Sequence, residues 1–419
     1  MQATESKFLP PALRSRNYRL FFGGQGISLI GTWMTQIATV WLVYHITNSA
    51  FMLGVVGFTS QIPNFLLTPF GGVFADRFPR RRILVTTQIL SMVQSLTLAA
   101  LALSNTIEIW HIIGLSLFQG TISAIDAPAR QVFVTELIER KQDLPNAIAI
   151  NSTMFNGARL IGPAIGGLLI ARVGEGYCFL IDGLSYIAVI IALLAMRLKP
   201  KSIPVADGNP LQKIKEGFTY AFGCPPIRAI LLLSCLVSLM GMQYTVLVPV
   251  FANKILKGDA QTLGFLLGAS GVGAVAGGIY LATRTTVVGL GKLVVIGPAI
   301  LGIGLITFAL SRFLPLSLLA MLTIGLGVIL QVAAGNTIVQ TIVEDDKRGR
   351  VMSLYTMSFL GITPFGSLLG GSLADRIGAT PTLIIAGSAC ILGSIFFSKQ
   401  LPPLKKIVHE IYRRKGILN

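Results

Sequence analysis

An all-α membrane protein of twelve transmembrane helices in two pseudo-symmetric six-helix bundles is the fold this sequence predicts, and three observations carry the prediction. Of 419 residues, 53% are hydrophobic and only 12% are charged, against about 25% charged in a soluble domain. The apolar residues come in long runs broken by short loops. One such loop, within Gly71-Gly72-Val73-Phe74-Ala75-Asp76-Arg77-Phe78-Pro79-Arg80-Arg81-Arg82, is dense in arginine. Finally, the second half of the chain repeats features of the first at offsets of about 204 to 209 residues.

Each spanning helix needs ~20 apolar residues. The chain divides into spans at 18–44, 50–75, 83–104, 111–134, 146–171 and 176–196, then 227–252, 262–283, 292–311, 316–342, 350–374 and 381–398. This leaves no room for a separate soluble catalytic domain. The expected organisation is a first bundle over 1–196, a linker over 197–226, a second bundle over 227–398 and a basic tail over 399–419. A turn between spans cannot lie in hydrocarbon, because its backbone groups would stay unsatisfied. The arginine-rich loops therefore sit in water, and the positive-inside bias puts them in the cytoplasm. An even number of spans returns both termini to that side, so a plasma (inner) membrane protein with N and C termini cytoplasmic is expected. The polar start through Arg16 is too long for the tip of a signal peptide, and the first apolar run reads as a retained anchor.

The net charge is +17, which in a soluble chain would suggest a polyanion. Most of the 34 basic residues fall in loops on one side, so the excess is a topology signal and nucleic acid is excluded as a partner. Lys405, Lys406, Arg413, Arg414 and Lys415 are placed to lie on the anionic inner leaflet. Cys178, Cys224, Cys235 and Cys390 are scattered, so neither a metal site nor a disulfide framework follows. In the linker, Asn209-Pro210 is a helix start. Leu211, Ile214 and Phe218 then recur at helical spacing opposite Lys213, Lys215 and Glu216, the pattern of a helix lying on the membrane face.

The repeat is visible in Ile170-Ala171-Arg172-Val173-Gly174 after Gly166-Gly167, matched by Ala374-Asp375-Arg376-Ile377-Gly378 after Gly370-Gly371. Internal duplication of six spans is a transporter architecture, with the substrate near the midplane between repeats. Gly72-x-x-x-Asp76-Arg77-x-x-Arg80-Arg81 resembles the loop motif of the major facilitator superfamily (MFS), with Pro79 where the family usually has glycine. Asn17-Tyr18-Arg19-Leu20-Phe21, Asp126-Ala127-Pro128-Ala129-Arg130-Gln131, Asn151-Ser152 with Gly162-Pro163, and Glu216-Gly217-Phe218-x-Tyr220 resemble the bacterial subgroup that includes the enterobactin exporter. The resemblance implies a cytoplasmic latch made by Asp76, Arg77, Arg80 and Arg81. Glu136 and Glu139 past span four are their candidate partners. It also implies a monomer, and a span-five bend at Gly162, Pro163, Gly166 and Gly167 of the kind found in antiporter-type exporters. Close helix packing and a proline bend explain those four residues equally well.

Charges inside spans mark pathways, since an Asp at span centre costs ~2.5–3.5 kcal/mol on the insertion scale. Asp126 and Arg130, four apart, share one helix face. Either Asp126 exchanges a proton and repositions Arg130, or the two form a static pair. Arg159 lies ~20 Å into span five at 1.5 Å per residue and needs a polar cavity or an acid. Asp126 or Asp182 could be that acid, and Asp182 joins the candidates for transport or proton coupling. The polar set Gln25, Trp33 and Gln36, with Gln119, Gln243, Tyr244, Gln331, Asn336 and Gln340, falls in spans one, four, seven and ten. By resemblance these spans line the cavity, although a single amide is more often interhelical glue.

The expected function is secondary export of small amphipathic molecules, siderophore- or drug-like, driven by protons and working by alternating access. An importer or facilitator of sugars or other metabolites, or a non-transporting membrane receptor or enzyme, are the alternatives. No GxxxxGK[ST] loop is present, so ATP is not the direct energy source. His45 and His111 at span edges and His409 in the tail form no acid–base cluster, so neither an enzyme nor a cofactor is expected.

Overall fold

A computed structural model of the chain describes residues 10–138, 140–197, 210–284, 286–344 and 347–414, without side-chain detail at 69–77, 141, 145 and 210–214. Among these residues twelve helices are long and apolar enough to cross a membrane. They are α1 Arg16–Thr47, α2 Ala50–Arg77, α3 Arg80–Leu103, α4 Ile109–Glu136, α5 Leu144–Val173 and α6 Glu175–Ala195. After the linker helix α7 Pro210–Gly223 come α8 Pro225–Ile255, α9 Ala260–Ala282 and α10 Leu290–Leu310. The last three are α11 Leu314–Ile342, α12 Arg348–Ile377 and α13 Ala379–Arg414. The expected spans fall on these helices. The largest difference is at the end, where α13 continues past residue 398 through Pro402 and Pro403 to Arg414. Its extension buries Leu404 and Tyr412 against the second half.

The helices end where the sequence repeats. Gly174 after α5 and Gly378 after α12 have φ of 90° and 92°, a region open to glycine but rarely to other residues. Each thus stops one helix and permits the immediate start of the next. Helix α8 contains wide turns at Val237–Gly241 and Phe251–Ile255, and α12 one at Met357–Gly361. Such π-turns insert a residue into the helical ladder and re-aim the side chains beyond it.

The chain divides into two compact units. The first comprises Met1–Thr47, Thr59–Ala206 and Asp259–Gly264; the second comprises Asn48–Phe58, Asp207–Gly258 and Phe265–Asn419. In the first, Tyr18, Phe21, Leu84, Phe133 and Leu193 form a core at one end of the helices. The start of α1 is tied down there by hydrogen bonds. Tyr18 Oη donates to the Ala147 carbonyl at 2.8 Å, and Asn17 exchanges two bonds with the Arg197 backbone. A short segment of the second half belongs to this unit: Gly167 of α5 crosses Gly264 of α9, where a Cβ on Gly167 would lie 3.0 Å from the Gly264 Cα.

The second unit holds the equivalent crossing. A Cβ on Gly54 of α2 would lie 3.0 Å from the Gly371 Cα of α12. Helices α9 and α11 meet backbone to backbone, with Gly273 facing the Leu322 carbonyl and Gly325 facing that of Ser270. The linker helix is anchored in this unit as well. Glu216 pairs with Arg350 at the start of α12, and Lys347 lies 4.7 Å from the Tyr220 ring centroid. Exposed apolar residues such as Ile181, Leu184, Ile187, Ile191 and Leu194 on α6 supply the lipid-facing surface of a multi-pass membrane protein.

Candidate functional site

Helix α3 organises the polar interior of the first unit. Thr87, Gln88, Ser91, Gln94 and Ser95 recur at helical spacing and are each 5% exposed or less. Thr87 Oγ1 donates to Asp126 Oδ1 at 2.7 Å, and Gln88 Nε2 donates to the same oxygen at 3.1 Å. The other carboxylate oxygen pairs with Arg130, one turn along α4. Asp126 therefore has a cation and two neutral donors, the full set a buried carboxylate requires.

Seven residues further along α3, Ser95 Oγ donates to Asp182 Oδ2 at 3.0 Å, and Thr35 Oγ1 of α1 donates to it at the same distance. The environment of Asp182 differs from that of Asp126. Among the described residues no cation pairs with it, and its Oδ1 is buried without a hydrogen-bond partner, facing Gly31 of α1. Tyr186 follows one turn on and is also buried. The two acids stand ~11 Å apart along the α3 axis at 1.5 Å per residue. One is compensated by charge, the other by hydroxyl groups alone.

Arg159 takes neither acid. Its guanidinium lies 5.8 Å from the Trp33 ring centroid, and Trp33 meets Phe155 edge-on at 5.8 Å and 72°. The helix crossing sets this arrangement: Gly162 of α5 lies against Ile30 and Trp33 of α1, and a Cβ there would lie 3.1 Å from the Ile30 carbonyl oxygen. Pro163 removes the hydrogen bond that the Arg159 carbonyl would otherwise accept. Gly166 lies against Met34 and Ile37, and Gly167 against α9.

The remaining candidates fall into three groups. Gln25, Gln243, Tyr244 and Gln331 are each 4% exposed or less, packed between helices. Gln331 donates to Ser234 at 2.9 Å, and Tyr244 shares a 3.1 Å bond with Ser270. Gln119 and Asn336 are half-buried, with Gln119 donating to Ser91 at 3.3 Å. Gln36 and Gln340 are exposed. At the end of α4, Glu136 pairs with Arg80, and Arg81 donates to the Leu194 carbonyl at 2.5 Å. The side chains of Gly72, Asp76 and Arg77 lie outside the described residues, as does Glu139. Thr87, Gln88, Ser95 and Thr35 are not among the residues the sequence singles out; the polar stripe of span three is the signal that marks the first three.

The sequence matches the family described as transmembrane secretion effector over residues 6–412. The chain belongs to this branch of the major facilitator superfamily. It is similar to the staphyloferrin A transporter of Staphylococcus aureus, 28% identical over 390 residues, covering 92% of this chain and 97% of that one. The multidrug efflux pump Tap of Mycolicibacterium fortuitum is 25% identical over 364 residues, covering 84% and 88%. The enterobactin exporter EntS of Escherichia coli is 25% identical over 378 residues, covering 90% and 88%. Among solved structures, a peptide-complexed POT family transporter superposes with a TM-score of 0.75 at 12% identity, covering 93% and 96%. A bacterial Spinster homologue superposes at 0.71 and 13%, covering 96% and 98%. At such identities the structural likeness speaks for the fold alone. This family member is thus a multi-pass membrane transporter.

Proposed function

We propose that this transporter exports small amphipathic molecules across the plasma membrane by alternating access, in exchange for entering protons, with both termini cytoplasmic. A proton entering across 100 mV provides ~2.3 kcal/mol, enough for about fiftyfold accumulation at 1.4 kcal/mol per factor of ten. Direction is supported by relatives named as exporters and efflux pumps. Proton coupling is supported chiefly by the contrast between the two buried acids. Asp126 can lose its charge only by abandoning Arg130, whereas Asp182 can gain or lose a proton without breaking an ion pair.

Asp182 is therefore assigned as the proton site, and Asp126–Arg130 as a fixed pair whose carboxylate, bonded by Thr87 and Gln88, holds α4 on α3. The Arg80–Glu136 pair closes the cytoplasmic ends of α3 and α4 in this reading. The linker over 197–226 joins the two bundles in this reading.

An untargeted metabolite comparison of cells with and without the protein identifies a compound retained in the deletion strain. With that compound in proteoliposomes, Asp182→Asn is expected to lose proton-driven accumulation while keeping counterflow at the wild-type rate. Retention of driven accumulation by Asp182→Asn would remove the assignment. Loss of counterflow as well would point to a general defect in carrier motion.

A further inference from the structure

Arg159 differs from the other arginines placed inside the first unit. Arg80 has Glu136 and Arg130 has Asp126, but among the described residues no carboxylate pairs with Arg159. It is half-buried, midway along a helix that crosses the membrane. A guanidinium in such a place is costly unless an anion meets it. Among the described residues its recorded partner is the Trp33 indole, which attracts a cation but does not neutralise it. Both buried acids that could have served are held by other groups.

The geometry points to an anion-binding subsite formed by Arg159 on Trp33, so that the molecules this carrier exports bear a carboxylate group. The guanidinium stays 5.8 Å from the indole centroid, and its planar fork of N–H groups is suited to a planar oxyanion. That fork matches a carboxylate through two parallel hydrogen bonds, which a lysine ammonium cannot reproduce. Phe155, set edge-on to Trp33, extends the platform for an apolar or aromatic part of the same molecule. The close approach of α1 at Gly162 fixes Trp33 against α5, so the platform is set by helix packing and stands before ligand arrives. This inference rests on the export reading for the identity of the cargo, but its binding step needs no proton gradient.

The three tryptophans are Trp33, Trp41 and Trp110, so the full chain carrying Trp41→Phe and Trp110→Phe reports on Trp33 alone. The probes are 4-nitrobenzoate and its uncharged counterpart 4-nitrobenzamide, titrated against the detergent-solubilised protein. The acid is expected to quench Trp33 fluorescence saturably, and the amide only in linear, collisional fashion. Arg159→Gln in the same background should weaken the acid's apparent affinity at least tenfold. Equal saturable quenching by both probes, no saturable quenching by the acid, or unchanged affinity in Arg159→Gln would each overturn the proposal. Should Arg159→Gln fail to fold, the acid–amide contrast decides the matter with Arg159 in place. Loss of proton-driven transport with binding intact would count against proton-driven export and leave the subsite standing.

Discussion

Arg130→Met is expected to destabilise the protein by ~3–5 kcal/mol, because it leaves the Asp126 carboxylate buried without its cation. Asp126 is 4% exposed, so little water reaches the carboxylate to take the guanidinium's place. Thr87 and Gln88 would still donate to one oxygen, which is too little for a full charge. The second substitution Asp126→Asn should recover most of the loss, since the amide carbonyl keeps both donors and no charge remains. Thermal unfolding of the single and double variants in dodecyl maltoside measures this directly. A single variant as stable as wild type would mean that the pair is not enclosed as described. Asp182→Asn provides the contrast: no cation is orphaned, and a change within about 1 kcal/mol is expected. Its transport defect can therefore be read without a folding defect.

Gly273→Val and Gly325→Val are each expected to abolish folded protein. At both positions the first side-chain atom would overlap a carbonyl oxygen of the facing helix, that of Leu322 or Ser270. The obstacle is backbone on both sides, so no rotamer change relieves it. Overpacking against movable side chains already costs ~1–3 kcal/mol, and this case exceeds it. Helices in a membrane associate through such close contacts because the lipid offers no hydrophobic drive to push them together. Gly278→Ala, in the same helix α9 but with open space around it, serves as the control and should gain slightly in helix propensity. Size-exclusion profiles of fluorescent fusions after detergent extraction separate the outcomes. A monodisperse peak from Gly325→Val would contradict the α9–α11 crossing.

The spans were legible because each needs a fixed length of apolar chain, and the glycine spacing of the repeat was legible because helix crossings demand it. Asp126 and Arg130 could be paired from sequence by their four-residue separation, and the structure pairs them. The surroundings of Arg159 could not be read, because an arginine carries no record of which neighbouring span faces it. In the sequence Trp33 is only a cavity candidate. The amides show the same limit. Gln25, Gln243 and Gln331 lie in helices packed by neighbours on several sides, where residue type does not reveal the direction a side chain takes. The π-turns in α8 and α12 were also invisible, since an inserted residue leaves composition unchanged. The continuation of α13 was hidden by Pro402-Pro403, which reads as a stop but lies within the helix.

The two glycine crossings at Gly54–Gly371 and Gly167–Gly264 follow the duplication, yet each is made between strands of sequence from opposite halves. Cut at the linker, one fragment would keep Gly54 and Gly167 and the other Gly264 and Gly371, so neither fragment would hold both sides of a crossing, and each crossing needs both halves of the chain.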